Sequence, residues 1–226
     1  MRTIIPGVFF AAGFGPIAAL ALFIIGVAPL PVTALAVIAP MSVLAISLGV
    51  RNPAWGHVAI KGLLIGLAGV TTYDLFRMPL VQIGLWPDFI PRIGGWLVLS
   101  DTPNAAVGYV YRYLGDGAGM GMSFVAAYSL ARGKLPAIAT ATAFGVGIWL
   151  CLIATLIIAP HGQELMFRIT PTSLALSLIG HVIYGATIGY LVFRFDSAIY
   201  ADATLAVLDG RMRWRSIPRL RQTQRA

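Results

Sequence analysis

The chain has 226 residues, of which 58% are hydrophobic and only 11% charged, where soluble domains carry about 25% charged residues. With a mean hydropathy of +0.85, it has too little polar surface to cover a soluble globule, so a polytopic membrane protein is expected. The net charge of +8 does not indicate a nucleic-acid-binding module, because six of the sixteen Lys and Arg residues lie in the final sixteen positions.

A membrane-crossing helix needs about 20 mostly apolar residues, and six segments qualify. The first, 4–27, follows a single positive charge at Arg2. It is longer than the apolar core of a secretory signal and is followed by no small-residue cleavage site and polar domain, so a retained span is expected. The second covers 31–50. Pro6, Pro16 and Pro40 fall in these two spans, where neighbouring helices can re-satisfy the freed carbonyls. The third, 58–76, carries Lys61 one turn inside, close enough to snorkel to the surface. His57 sits at the same border.

A long connection, 77–112, follows. Its apolar part, 81–100, is broken by Pro87, Pro91, Gly94 and Gly95, which predicts an interfacial or re-entrant segment instead of another span. Trp86 and Trp96 suit the headgroup level. Asp101 lies in the turn sequence SDTPN and is expected to cap the next helix. The remaining spans are 113–131, 135–158 and 172–193, and 194–226 is a basic tail.

The expected fold is therefore an all-α bundle of six transmembrane helices in 1–193. With both termini in the cytoplasm of a bacterial-type inner membrane, the inner side receives twelve basic residues and the outer side four: Arg77, Arg92, Arg112 and Arg168. The positive-inside rule favours this orientation. Tail arginines at 211, 213, 215, 219, 221 and 225 surround Trp214 and would bind anionic lipid at the cytoplasmic leaflet.

The same topology places Asp74, Asp88, Asp101, Asp116, His161 and Glu164 at or beyond the outer edge. The pairs Asp74/Arg77, Asp88/Arg92, Arg112/Asp116 and Glu164/Arg168 are three or four residues apart, a spacing at which side chains meet on a helix. Local ion pairing is therefore expected. Alternatively, Asp74, Asp116, His161, Glu164 and His181 converge on an outer cavity, where oxygen and imidazole ligands would suit a divalent metal or a proton relay. Cys151 stands alone, which excludes an internal disulfide and a multi-cysteine metal site. No phosphate loop or dinucleotide fingerprint is present, and no cofactor is named by the residue pattern.

His181 lies well inside the last span and must hydrogen-bond something at that depth. The sequences Gly117–Gly121 and Gly185–Gly189 share the pattern GAxxG. Small residues four apart allow close helix approach, so the fourth and sixth spans are expected to form the bundle centre.

GMS at 121–123 and His181, followed by Gly185 and Gly189, resemble elements of the rhomboid intramembrane proteases. That family has a serine in a GxSG motif on its fourth core helix and a histidine on its sixth. The resemblance implies Ser123 as nucleophile and His181 as its base. The chain departs from the pattern in having Phe124 at the second glycine position and a glycine one position late after the histidine. Its second span also lacks the family's polar His and Asn.

The leading functional expectation is binding or passage of a small solute or ion through an outward cavity between spans 3–6. Asp74, Arg77, Arg112, Asp116 and His181 would line it. The alternatives are a non-catalytic subunit or assembly factor packing against other membrane proteins, or an intramembrane enzyme. The enzyme would use Ser123 and His181, or a metal centre drawn from His161, Glu164, Asp74 and Asp116.

Overall fold

A computed structural model describes residues 4–132 and 134–215, and every regular element among them is helical. The order is α1 (Ile4–Ile25), α2 (Leu30–Arg51), α3 (Pro53–Gln82), α4 (Ile90–Leu97) and α5 (Ala105–Val110), then a π-helical segment (Tyr111–Gly117). After it come α6 (Ala118–Ala131), α7 (Ala137–Ile158), α8 (Gly162–Leu165) and α9 (Pro171–Arg215). Five helices are long and apolar enough to cross a membrane: α1, α2, α3, α7 and the Pro171–Ala201 part of α9. The expected fourth span is assembled from three pieces: α5, the π segment and α6 follow one another without a break.

Proline sets several of the helix starts. Helices α2, α3 and α4 carry proline at their first or second position, and α9 begins on Pro171. There the fixed φ is already helical and the missing N–H would have had no partner. Asn104 caps α5, its side chain accepting from the Val107 amide at 3.1 Å. Gly26, with φ +91°, ends α1 in a left-handed conformation that a side chain would resist.

Helix α3 packs between α6 and α9, α7 lies against α9, and α1 lies against α2 and α6. The centre is thus α3, not the fourth and sixth spans together. The two GAxxG stretches do provide close-packing faces, but each serves a different neighbour. A Cβ on Gly121 would fall 2.5 Å from the Gly62 carbonyl oxygen of α3. A Cβ on Gly185 would fall 2.5 Å from that of Ala141 on α7. Gly13 and Gly119 bring α1 and α6 equally close, with a Cβ on Gly119 only 2.5 Å from the Gly13 oxygen. Backbones approach this closely only where no side chain intervenes.

Helix α9 continues through position 194, so the expected boundary between bundle and tail falls inside a helix. The helix bends at Phe195 (φ −121°, ψ 19°). Near the bend the Lys61 ammonium donates to the Ala198 carbonyl, and Arg132 pairs with Asp196 at 2.9 Å. The tail arginines and their expected lipid contact lie outside the described residues and side chains. Trp86 is not at a surface: it is 4% exposed, tilted against Phe167 at 6.1 Å between ring centres.

The glycine contacts generate a direct prediction. Gly121→Val inserts a branched side chain against the α3 backbone and should cost about 1–3 kcal/mol or block folding. Gly147→Ala, where a Cβ meets nothing within 4 Å, should be neutral. Thermal unfolding of the two variants in one detergent distinguishes them.

Candidate functional site

Helix α3 brings Asp74 and Arg77 to one end of the bundle, one helical turn apart. Asp74 accepts from Arg77 Nε at 3.2 Å, as the spacing predicts. It also accepts from Arg112 of the π segment, at 3.0 Å from Nε and 2.6 Å from Nη2. Arg77, only 1% exposed, reaches on to Asp88 in the connection at 3.1 Å and to the Tyr109 hydroxyl at 3.0 Å. Tyr109 in turn donates to Asp88 Oδ2 at 3.2 Å. Two arginines, two aspartates and a tyrosine thus form one connected network. Arg112 lies over the Tyr73 ring, 4.7 Å from its centre, so the cation is held on two sides.

The π segment explains why Arg112 is available to Asp74. The Ala118 amide bonds back to the Tyr113 carbonyl, five residues earlier, and the widened turn carries both Arg112 and Asp116. Such insertions recur at functional sites. Arg112 is engaged across the helix interface, whereas Asp116 is left without an ion pair among the described residues. The oxygen Asp116 Oδ1 is buried and has no hydrogen-bond partner there.

Asp116 and Arg112 border a cavity of about 190 Å³ that also reaches His181, Tyr73 and Tyr184. Its apolar walls include Phe14, Ile17 and Leu20 of α1, Ile148 and Leu152 of α7, and Phe89 of the connection. Helix α1 is therefore a major wall. The sequence points to a cavity between spans 3–6; α1, which carries no polar residue, stands outside that expectation. His181 Nδ1 lies 2.7 Å from the carbonyl of Ser177, one turn back on its own helix. Its ring meets Tyr73 edge-on at 5.4 Å. The Tyr184 hydroxyl donates to Gly117 O of the π segment at 2.8 Å.

Of the residues singled out from the sequence, Asp74, Arg77 and Arg112 join one network, and Arg112, Asp116 and His181 share the cavity. The local pairing scheme holds only for Asp74 with Arg77. Arg112 turns to Asp74, not Asp116; Asp88 turns to Arg77, not Arg92. Arg92 donates instead to the Glu164 carbonyl at 3.1 Å and lies 5.5 Å from the Trp96 ring centre. Glu164 meets His161 at 3.2 Å, both more than 70% exposed in their side chains. Among the described residues no three His, Cys, Asp or Glu side chains come together as metal ligands, so His161 and Glu164 stand apart from Asp74 and Asp116. Ser123 is fully buried and donates to the Phe10 carbonyl of α1 at 2.8 Å. No hydrogen bond links it to His181.

Fold and site together define an all-helical protein with several membrane-length apolar helices and a polar-edged, partly open cavity. Compared with known proteins, the chain matches no family model, no curated protein and no solved structure.

Asp74→Asn removes the carboxylate shared by the buried Arg77 and the part-buried Arg112 and should cost about 3–5 kcal/mol. Adding Arg112→Gln to that variant should cost much less than it does in the wild type, because the orphaned cation is removed with its partner. A thermal-stability double-mutant cycle measures this coupling, and additive losses would contradict it.

Proposed function

We propose that the protein binds a small solute in the cavity between α1, α3, the π segment, α7 and α9, and passes it across the membrane. The observation that carries this reading is the convergence of Asp116, Arg112 and His181 on a largely apolar cavity, with one buried Asp116 oxygen lacking a donor among the described residues. A buried polar atom without a partner costs free energy. Ionisable groups within membrane-spanning helices are rarely retained without a role. A bound solute offers both the missing partner and a reason for the cavity.

The distribution of basic residues supports an orientation with the Asp74–Asp88 network at the outer face and both termini in the cytoplasm. The cavity would then open outward. The serine-protease reading lacks its central contact, since the Ser123 proton is committed to Phe10 O. Packing as a subunit through small-residue faces finds less support, because those faces are already used inside the bundle.

In proteoliposomes holding the purified chain, the flux of a panel of small amines, alcohols and carboxylates should exceed that of empty vesicles for at least one solute. Ala21, which lines the cavity, offers the control. Ala21→Phe should fill the space and abolish that flux. Equal flux with and without the filled cavity would rule out this route.

A further inference from the structure

We infer that the cavity selects a small organic monocation, an ammonium compound whose charge is met by Asp116. This rests on the reading that the cavity binds a solute, and it names the class.

Charge balance is the first support. Arg77 and Arg112 are matched by Asp74 and Asp88 through contacts of 2.6–3.2 Å, so those four charges cancel. An ionised Asp116 adds one negative charge that no described basic side chain pairs with. A carboxylate in apolar surroundings either takes up a proton or is met by a counter-charge, and a monocation supplies that counter-charge. An anion would meet an arginine already holding a carboxylate, beside an unpaired aspartate.

Hydrogen-bond polarity agrees. A carbonyl oxygen only accepts, so the 2.7 Å contact with Ser177 O places a proton on His181 Nδ1. In the neutral ring Nε2 is then an acceptor. Tyr184 has donated its proton to Gly117 O and presents lone pairs. With Asp116, these make three acceptors around one cavity. A ligand that donates from several N–H groups fits these three; the charged donor in the lining, Arg112, is turned to Asp74 through Nε and Nη2.

The walls agree as well. Phe14, Phe89 and Tyr184 border the space, and aromatic faces attract ammonium groups; the Tyr73 ring already carries Arg112. Volume limits the guest. A cavity of about 150 Å³ holds benzene, so about 190 Å³ admits one ring with a short arm or an aliphatic amine of similar bulk.

The test uses the full chain in lipid nanodiscs at neutral pH, with benzylammonium, benzyl alcohol and benzoate as probes of nearly equal size and different charge. Binding is read by thermal stabilisation and saturation-transfer NMR in the wild type, Asp116→Asn and Ala21→Phe. Benzylammonium should bind about tenfold tighter than benzyl alcohol, and Asp116→Asn should remove that preference. If benzyl alcohol or benzoate binds as tightly, and Ala21→Phe abolishes the binding, the cavity takes solutes but the cation assignment fails. If no probe binds, or all bind Ala21→Phe equally well, the binding reading and the cation assignment fail together. Should Asp116→Asn not fold, the wild-type preference between benzylammonium and benzyl alcohol decides the class alone.

Discussion

The carboxylate of Asp74, shared between Arg77 and Arg112, is the contact on which this end of the molecule depends. Each charge in it would be expensive to bury alone, and a single ion pair does not reliably repay the desolvation of its members. The network repays it by number. Asp74 takes three hydrogen bonds from Arg112 and another from Arg77, while Arg77 extends to Asp88 and Tyr109. In this way α3 is tied to the π segment, to α5 and to the connection before α4. Removing Asp74 would leave Arg112 with no carboxylate among the described residues and would untie the π segment from α3, while Arg77 would keep Asp88 and Tyr109.

A consequence of that network is the isolation of Asp116. On a regular helix a basic residue four positions earlier would be its natural partner. Here that residue, Arg112, is spent on α3. The wide turn that carries both also presents the Gly117 carbonyl to Tyr184 of α9, so the irregular backbone is held from two sides. The unpaired carboxylate is thus a product of a well-satisfied neighbourhood and not of loose packing.

Much of the architecture was legible in the sequence, because apolar runs, prolines and turn residues act locally. Residues 4–27 and 135–158 read as apolar helices with no help from their partners, and helices run over Ile4–Ile25 and Ala137–Ile158. The Asp74–Arg77 pair and the packing role of Gly121 and Gly185 follow from helical spacing. What spacing cannot supply is the choice between a partner on the same helix and one on another. Arg112, Asp88 and Glu164 each have a neighbour at three or four positions, and only for Glu164 is a spaced neighbour, His161, the one used. The π segment was hidden for a related reason. YRYLGDG has the glycines to permit a wide turn, but the pull that makes it worthwhile comes from Asp74 and Tyr184, distant in the chain. The wall formed by α1 carries no polar residue to announce it.

The glycine contacts and the cavity are two results of one packing arrangement. Backbones meet where glycines oppose each other: α1 against α6 at Gly13 and Gly119, α3 against α6 at Gly66 and Gly121, and α7 against α9 at Gly145 and Gly185. Between α1 and α7 the facing residues include the bulky Phe14, Ile17 and Leu20 on one side and Ile148 and Leu152 on the other, with the smaller Ala18, Ala21 and Cys151 among them. The space falls there, where no pair of opposed glycines draws the helices together. It also resists closing. Moving α1 toward α7 would pull it from α6, and moving α7 inward would pull it from α9, each at the loss of a dense backbone contact. A rigid frame of this kind keeps a polar-edged cavity open without a ligand to prop it. A ligand bound there would be spared much of the cost of forming the site.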